Sequence, residues 1–136
     1  MTARTILIIG AGIGGLTTAL AFARNGDDVD IVEQAPSLSE VGAGLQVSPN
    51  ASRILIALGL GDALRQAMIT PHEIVLASGR SLRKITHVPC GAFAADRWGA
   101  PYGVMHRADL QAMLLDAVIA HPRCRLHLNQ RTTSAE

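Results

Sequence analysis

The chain has 136 residues with 12 Lys and Arg against 11 Asp and Glu, a length that suits one ordinary domain. Its 49% hydrophobic and 17% charged content excludes a disordered chain, and a net charge of +1 leaves no basic footprint for nucleic acid or an anionic membrane. Cys90 and Cys124 lie far apart, without zinc or Cys-x-x-Cys spacing, and read as free thiols of a cytoplasmic protein. The mean hydropathy of +0.26 is high for a domain of this size and implies apolar surface meant for further contacts.

From Ile6 to Ala23 no residue is charged, and with Arg4 ahead of it the run imitates a membrane span or a signal peptide. Gly10, Gly12, Gly14 and Gly15 in its middle argue against both, since each glycine costs about 1 kcal/mol in a helix interior. The run divides instead. Thr5–Ile9 is β-branched and apolar throughout, the pattern of a strand buried on both faces. Ile13, Leu16, Thr17, Leu20 and Ala23 then recur at helical spacing until Asn25-Gly26. Asp28–Val32 alternates into a second strand that ends at Glu33. Strand, glycine turn, helix and strand make a βαβ unit with a parallel pair.

Gln34–Val47 reads as a loop. Ser48-Pro49 is an N-cap followed by proline at the first helical position, with Ala51, Ile54, Leu55 and Leu58 as the buried stripe and Gly59 as the stop. A short helix is expected over Asp62–Met68. Glu73–Ala77 and Ser81–Ile85 read as a hairpin around Ser78-Gly79-Arg80. Pro89–Pro101 is expected to be irregular and Tyr102–Met105 a short strand. Asp109–Ala120 is a helix with Leu110, Met113, Leu114 and Ala117 on one face, ended by His121-Pro122. Another strand starts at Arg125–Leu128. No repeat or low-complexity linker interrupts this order.

Gly10-Ala11-Gly12-Ile13-Gly14-Gly15 is a G-x-G-x-x-G that follows a strand and opens a helix. The first glycine permits the tight turn, the second lets the backbone approach a pyrophosphate, and the third lets helix pack on strand. The helix N-terminus adds unpaired N–H groups and about half a positive charge for phosphates. Glu33 lies 18 residues beyond Gly15, placed to accept hydrogen bonds from ribose hydroxyls. An acid there repels a 2′-phosphate, so the dinucleotide is expected to lack one. Spacing alone leaves NAD and FAD open.

Further motifs add a resemblance. Glu33-Gln34-Ala35-Pro36, then Val41-Gly42-Ala43-Gly44-Leu45-Gln46-Val47-Ser48-Pro49-Asn50-Ala51, then His106-Arg107-Ala108-Asp109-Leu110 resemble three ordered segments of the class A FAD-dependent aromatic monooxygenases, the salicylate hydroxylase-like group in particular. The resemblance runs from residue 4 to about residue 130. It implies non-covalent FAD, with NAD(P)H as a transient co-substrate, and hydroxylation of an aromatic ring with O₂. It places Gly10, Gly12, Gly14 and Gly15 at the pyrophosphate, Glu33 at the adenosine ribose and Gln34 beside it. Arg107 would meet the phosphate and ribityl region, and Gly44, Leu45 and Gln46 the isoalloxazine. Relatives acting on hydroxypyridines carry a histidine at the Gln46 position; glutamine takes no proton at neutral pH, so that acid–base role does not transfer and the catalytic residues stay unassigned.

Other groups have plainer readings. Asn50 belongs to the helix start, Cys90 is a loop thiol, and the Ser39-Glu40 pair lacks the partners of a hydrolase. His72, His87, His106, His121 and His127 have no metal-ligand spacing. Of these only His106, beside Arg107, has a plausible site position.

The expected fold is therefore α/β: a partial Rossmann-like FAD-binding domain, a βαβ unit with an inserted hairpin and helices, incomplete relative to the family. Residues 1–136 are expected to be the N-terminal portion of that domain, without the later flavin motifs and the substrate domain, and to turn over little alone. Expected partners are a small aromatic substrate in the parent enzyme, with no metal, nucleic acid or membrane and with homo-oligomerisation open. The alternatives are a non-catalytic FAD- or ADP-binding module and, last, an NAD-dependent dehydrogenase domain.

Overall fold

The computed structural model describes residues 4–38 and 42–134. Ser39, Glu40 and Val41, which carry the rejected hydrolase pair and part of the second motif, lie outside the described residues. The chain divides into two compact units, Met1–Ala43 with Arg107–Glu136, and Gly44–His106.

The first unit holds β1 (Thr5–Ile9), α1 (Ile13–Arg24), β2 (Asp28–Val32), α5 (Arg107–Ala120) and β7 (Cys124–His127). Its sheet has the order β1-β2-β7, and both pairings are parallel. The helix end falls where the sequence puts it, because Gly26, at φ +93°, adopts a left-handed conformation suited to glycine. Asp27, almost fully buried, then receives Arg4: the Arg4 backbone N–H and Nε donate to Oδ1 at 3.2 and 3.0 Å, and Nη2 to Oδ2 at 2.7 Å. The start of β1 is thereby tied to the turn that enters β2.

Ile6, Ile8, Val29 and Ile31 share one face of this sheet by register, and Val29 and Ile31 are fully buried. Leu16, Ala19, Leu20 and Ala23 of α1 and Leu110, Met113, Leu114 and Val118 of α5 complete that core. The opposite face corrects the expectation of a strand buried on both sides. Leu7 and Ile9 are 60% and 55% exposed, because the two helices of this unit, α1 and α5, pack on the other face. An all-apolar strand of this kind normally has both faces covered. The high hydropathy of the sequence has its counterpart in these side chains.

The second unit contains β3 (Gly44–Val47), α2 (Pro49–Ala57), α3 (Gly61–Ala67), β4 (Glu73–Ala77), β5 (Lys84–Pro89), α4 (Gly91–Trp98) and β6 (Gly103–His106). β3 pairs antiparallel with β6, and β4 with β5. Four expectations are corrected here. The loop expected through Val47 ends in a strand, β3, whose ladder is supplied by β6 nearly 60 residues later. The region from Pro89 to Pro101 contains a helix, α4, too short for periodicity to reveal; Gly99 ends it at φ +69°, donating its N–H to the Ala95 carbonyl at 2.8 Å. The second hairpin strand starts at Lys84 instead of Ser81. The Ser78 N–H donates to the Arg83 carbonyl at 2.9 Å and Leu82 takes φ 55°, so the turn extends three residues further. Finally, α2 buries Ser52 and Leu55 where it meets α3 and α4, leaving Ile54 54% exposed.

Among the described residues no helix is long and apolar enough to cross a membrane.

Candidate nucleotide-binding site

The glycine loop joins β1 to α1, and its glycines differ in what they do. Gly10 has φ +99° and donates its N–H to the Val32 carbonyl at 2.8 Å, which fixes the turn against β2. A Cβ on Gly15 would lie 1.9 Å from the Gly10 carbonyl oxygen, so α1 can start this close to the strand only with glycine there. Gly12 is the N-cap of α1, with ordinary φ −70°, and a Cβ there would meet nothing within 4 Å. No contact among the described residues requires a glycine at that position. What a side chain would obstruct is the approach of something else, and this open backbone fits a pyrophosphate. Gly14, in the first turn, is likewise open.

Among the described residues no side chain caps α1, and its first turn holds no acid. First-turn N–H groups lack intrahelical acceptors and carry the positive end of the helix dipole, so this terminus suits an anion.

Glu33 follows β2. Its backbone is gripped from β7: Glu33 donates its N–H to the His127 carbonyl at 2.9 Å, and its own carbonyl accepts from Gln130 N–H at 2.8 Å. Its carboxylate accepts from Ala11 N–H through Oε2 and from Ala35 N–H through Oε1, each at 2.8 Å. The Ala11 bond, then that of Ala35, holds this carboxyl below its ordinary range against an opposing effect of burial. Glu33 is therefore anionic at neutral pH. A carboxylate has about four lone-pair sites, so two accepted bonds leave capacity for hydroxyl donors.

A cleft of about 200 Å³ opens beside it, lined by Ile9, Gly10, Val32, Glu33, Gln34, Gln130 and Thr132. Gln34 is thus brought to the cleft with Gly10 and Glu33. Gln130 and Thr132 were not foreseen, because their position follows from β7 lying beside β2. Gln111 was also missed: on α5 it is buried and donates Nε2–H to the Ala11 carbonyl oxygen at 3.4 Å. A polar residue amid the apolar spacing of α5 was its only sequence signal.

Arg107 is the first residue of α5, two positions ahead of the expected helix start, and its N–H donates to the Ala43 carbonyl at 3.3 Å. A Cβ on Gly42 would sit 3.4 Å from the Ala108 nitrogen and 3.6 Å from the Arg107 Cβ. The second and third sequence motifs therefore meet at this helix start. Gly44, Leu45 and Gln46 lie on β3 in the second unit, opposite His106, Met105 and Val104. Gln46 and His106 are exposed. Among the described residues no group of three or more His, Cys, Asp or Glu is placed to hold a metal ion.

Residues 3–136 match the FAD binding domain family. The chain is 43% identical over 112 residues to 3-hydroxybenzoate 6-hydroxylase 1 of Aquipseudomonas alcaligenes, covering 82% of this chain and 28% of that enzyme. Among solved structures, the tetrameric form of 2-methyl-3-hydroxypyridine-5-carboxylic acid oxygenase superposes with a TM-score of 0.84 at 26% identity, over 100% of this chain and 34% of the other. Klebsiella pneumoniae HpxO complexed with FAD and uric acid gives 0.81 at 28% identity, over 96% and 32%. The chain thus spans about a third or less of the proteins it matches. These matches set aside the dehydrogenase alternative and settle the choice that spacing left between NAD and FAD: the chain belongs to the FAD-binding domain family of the class A flavin-dependent aromatic monooxygenases.

Proposed function

We propose that this chain holds the ADP half of FAD as the nucleotide-binding portion of a flavoprotein monooxygenase, one that hydroxylates a small aromatic compound with NAD(P)H and O₂. The observation that carries this reading is the open backbone at Gly12 above an uncapped helix N-terminus, with the anionic Glu33 fixed at the end of the neighbouring strand. Bound FAD would supply the redox chemistry of the hydroxylation.

The protein's own residues bind and orient. Gly10 sets the turn, Gly15 lets α1 close on it, and Gly12 and Gly14 leave the backbone N–H groups open to the diphosphate. Glu33 accepts the ribose hydroxyls, and Gln34 lines the cleft beside it. Arg107, at the start of α5, is assigned to the phosphate–ribityl side, and Gly44, Leu45 and Gln46 to the isoalloxazine. Gln46 can donate and accept hydrogen bonds but cannot act as a base, so any acid–base step lies with other residues. The similarity to aromatic hydroxylases supports a small aromatic substrate, a cytoplasmic location and self-association.

The test is a titration of the purified chain with FAD, followed by flavin fluorescence, with ADP as competitor. Saturable binding that ADP reverses is expected. Binding that ADP leaves untouched would contradict the assignment of the cleft to the adenosine end.

A further inference from the structure

The net charge of +1 conceals a local segregation. From Ile74 to Ala95 no residue is acidic, while Arg80, Arg83 and Lys84 lie together at the turn of the β4–β5 hairpin. Lys84 is already spent, its Nζ 2.6 Å from Oε2 of Glu73 at the hairpin base. Arg80 and Arg83 are exposed and enter no ion pair among the described residues. Every residue of the two strands is exposed, so the hairpin projects from its unit.

The tip is also apolar, and it is ordered. Leu82 is 82% exposed, more than any other large hydrophobic side chain among the described residues. It is held there by the turn: Leu82 donates its N–H to the Ser78 carbonyl and Ser78 to the Arg83 carbonyl, each at 2.9 Å. Ser78 Oγ accepts from the Arg80 and Ser81 N–H groups at 3.3 and 3.4 Å. Leu82 itself takes φ 55°, a left-handed conformation that glycine or asparagine adopts at less cost. Stability alone does not call for a leucine at this position. Close by, the register passes from Leu76↔Thr86 to Ala77↔Lys84, which leaves Ile85 as the extra residue of a bulge, also well exposed.

We propose that this hairpin tip docks on an anionic phospholipid surface, with Leu82 entering the boundary between headgroups and acyl chains and Arg80 and Arg83 meeting lipid phosphates. A bilayer presents an anionic layer with an apolar phase directly behind it, the order that a leucine projecting between two arginines fits. An acidic protein surface supplies the charge without that apolar layer. Guanidinium groups match phosphate oxygens two at a time, and the preformed turn has little freedom left to lose on docking. The contact is with the surface only, since no described helix is long and apolar enough to cross a membrane. The site lies wholly within the second unit and does not rest on the nucleotide reading.

The experiment sediments the chain with vesicles of mixed phosphatidylcholine and phosphatidylglycerol, and with vesicles of phosphatidylcholine alone. Binding to the mixed vesicles only, weakening as salt is raised, is expected. Each basic residue at such a surface contributes about fivefold, so the double variant Arg80→Gln, Arg83→Gln is expected to lose about 25-fold. Leu82→Asn suits the left-handed turn, so the fold is retained, as circular dichroism checks; it is expected to weaken vesicle binding about tenfold with both charges in place. No preference for the anionic vesicles overturns the proposal, as does unaltered binding by the double arginine variant. Binding lost with the arginines but unchanged in Leu82→Asn would make the tip a site for acidic proteins and overturns the membrane assignment.

Discussion

The Glu33 carboxylate accepts the Ala11 N–H at 2.8 Å, joining the end of β2 to the middle of the glycine loop across 22 positions of sequence. One side chain thus braces the loop and, under the proposed function, receives the ribose. Glu33→Gln keeps the size and one carbonyl oxygen but loses the charge. Charge-assisted bonds contribute about 1.5–3 kcal/mol, so FAD affinity is expected to fall about 10- to 100-fold. Flavin fluorescence titration measures it, and an affinity within a factor of two of the unmodified chain would show that Glu33 does not hold the nucleotide.

Glu33 also links stability to pH. Its carboxyl titrates below the ordinary range, chiefly through the Ala11 and Ala35 N–H bonds. The unfolded chain therefore takes up this proton at higher pH than the folded one. The contribution to stability is full above the ordinary carboxylate range and is lost as pH falls through the depressed folded value. Asp27, held low by Arg4, acts in the same direction. Urea midpoints measured from neutral to acid pH are expected to fall less steeply for Glu33→Gln than for the unmodified chain. Parallel curves would place the acid sensitivity elsewhere.

Gly12 and Gly15 are expected to separate binding from folding. Gly15→Ala forces a methyl onto the Gly10 carbonyl oxygen, where it would lie at 1.9 Å, and is expected to cost about 3 kcal/mol or more. Gly12→Ala meets open space and is expected to change stability by less than about 1 kcal/mol. Thermal melting of the two variants decides this. Equal melting points for both would mean that α1 does not press on the loop as described.

Gln111 is expected to position the loop from the opposite side. Gln111→Leu removes the amide that donates to the Ala11 carbonyl oxygen and puts an apolar side chain at a buried site. It is expected to lower stability by about 1 kcal/mol and to weaken FAD several-fold. Gln111→Glu, which can present a carboxyl at the same place, distinguishes the donor from mere bulk. If Leu, Glu and the native residue bind FAD alike, the amide has no positioning role.

The βαβ start was legible because its signals are local. A β-branched run, a glycine hexad and a helical stripe each declare themselves within a dozen residues, and the bounds of β1, β2 and β4 match the expectation. What was missed depends on distant partners. β3 is a strand only because β6 pairs with it, and Gln130 and Thr132 reach the cleft only because β7 lies beside β2. The exposure of Leu7 and Ile9 has the same origin: their spacing says that they are apolar, not whether anything covers them. Gln111 interrupts the apolar spacing of α5 with a polar side chain, and only its burial next to Ala11 reveals a task.

The most direct test of the central claim compares FAD binding by the unmodified chain and by Gly12→Ala, each with its fold verified by circular dichroism. Saturable binding by the unmodified chain, lost by at least tenfold in the folded Gly12→Ala variant, is the expected result. Failure of the folded unmodified chain to bind FAD, or equal binding by both, would contradict it.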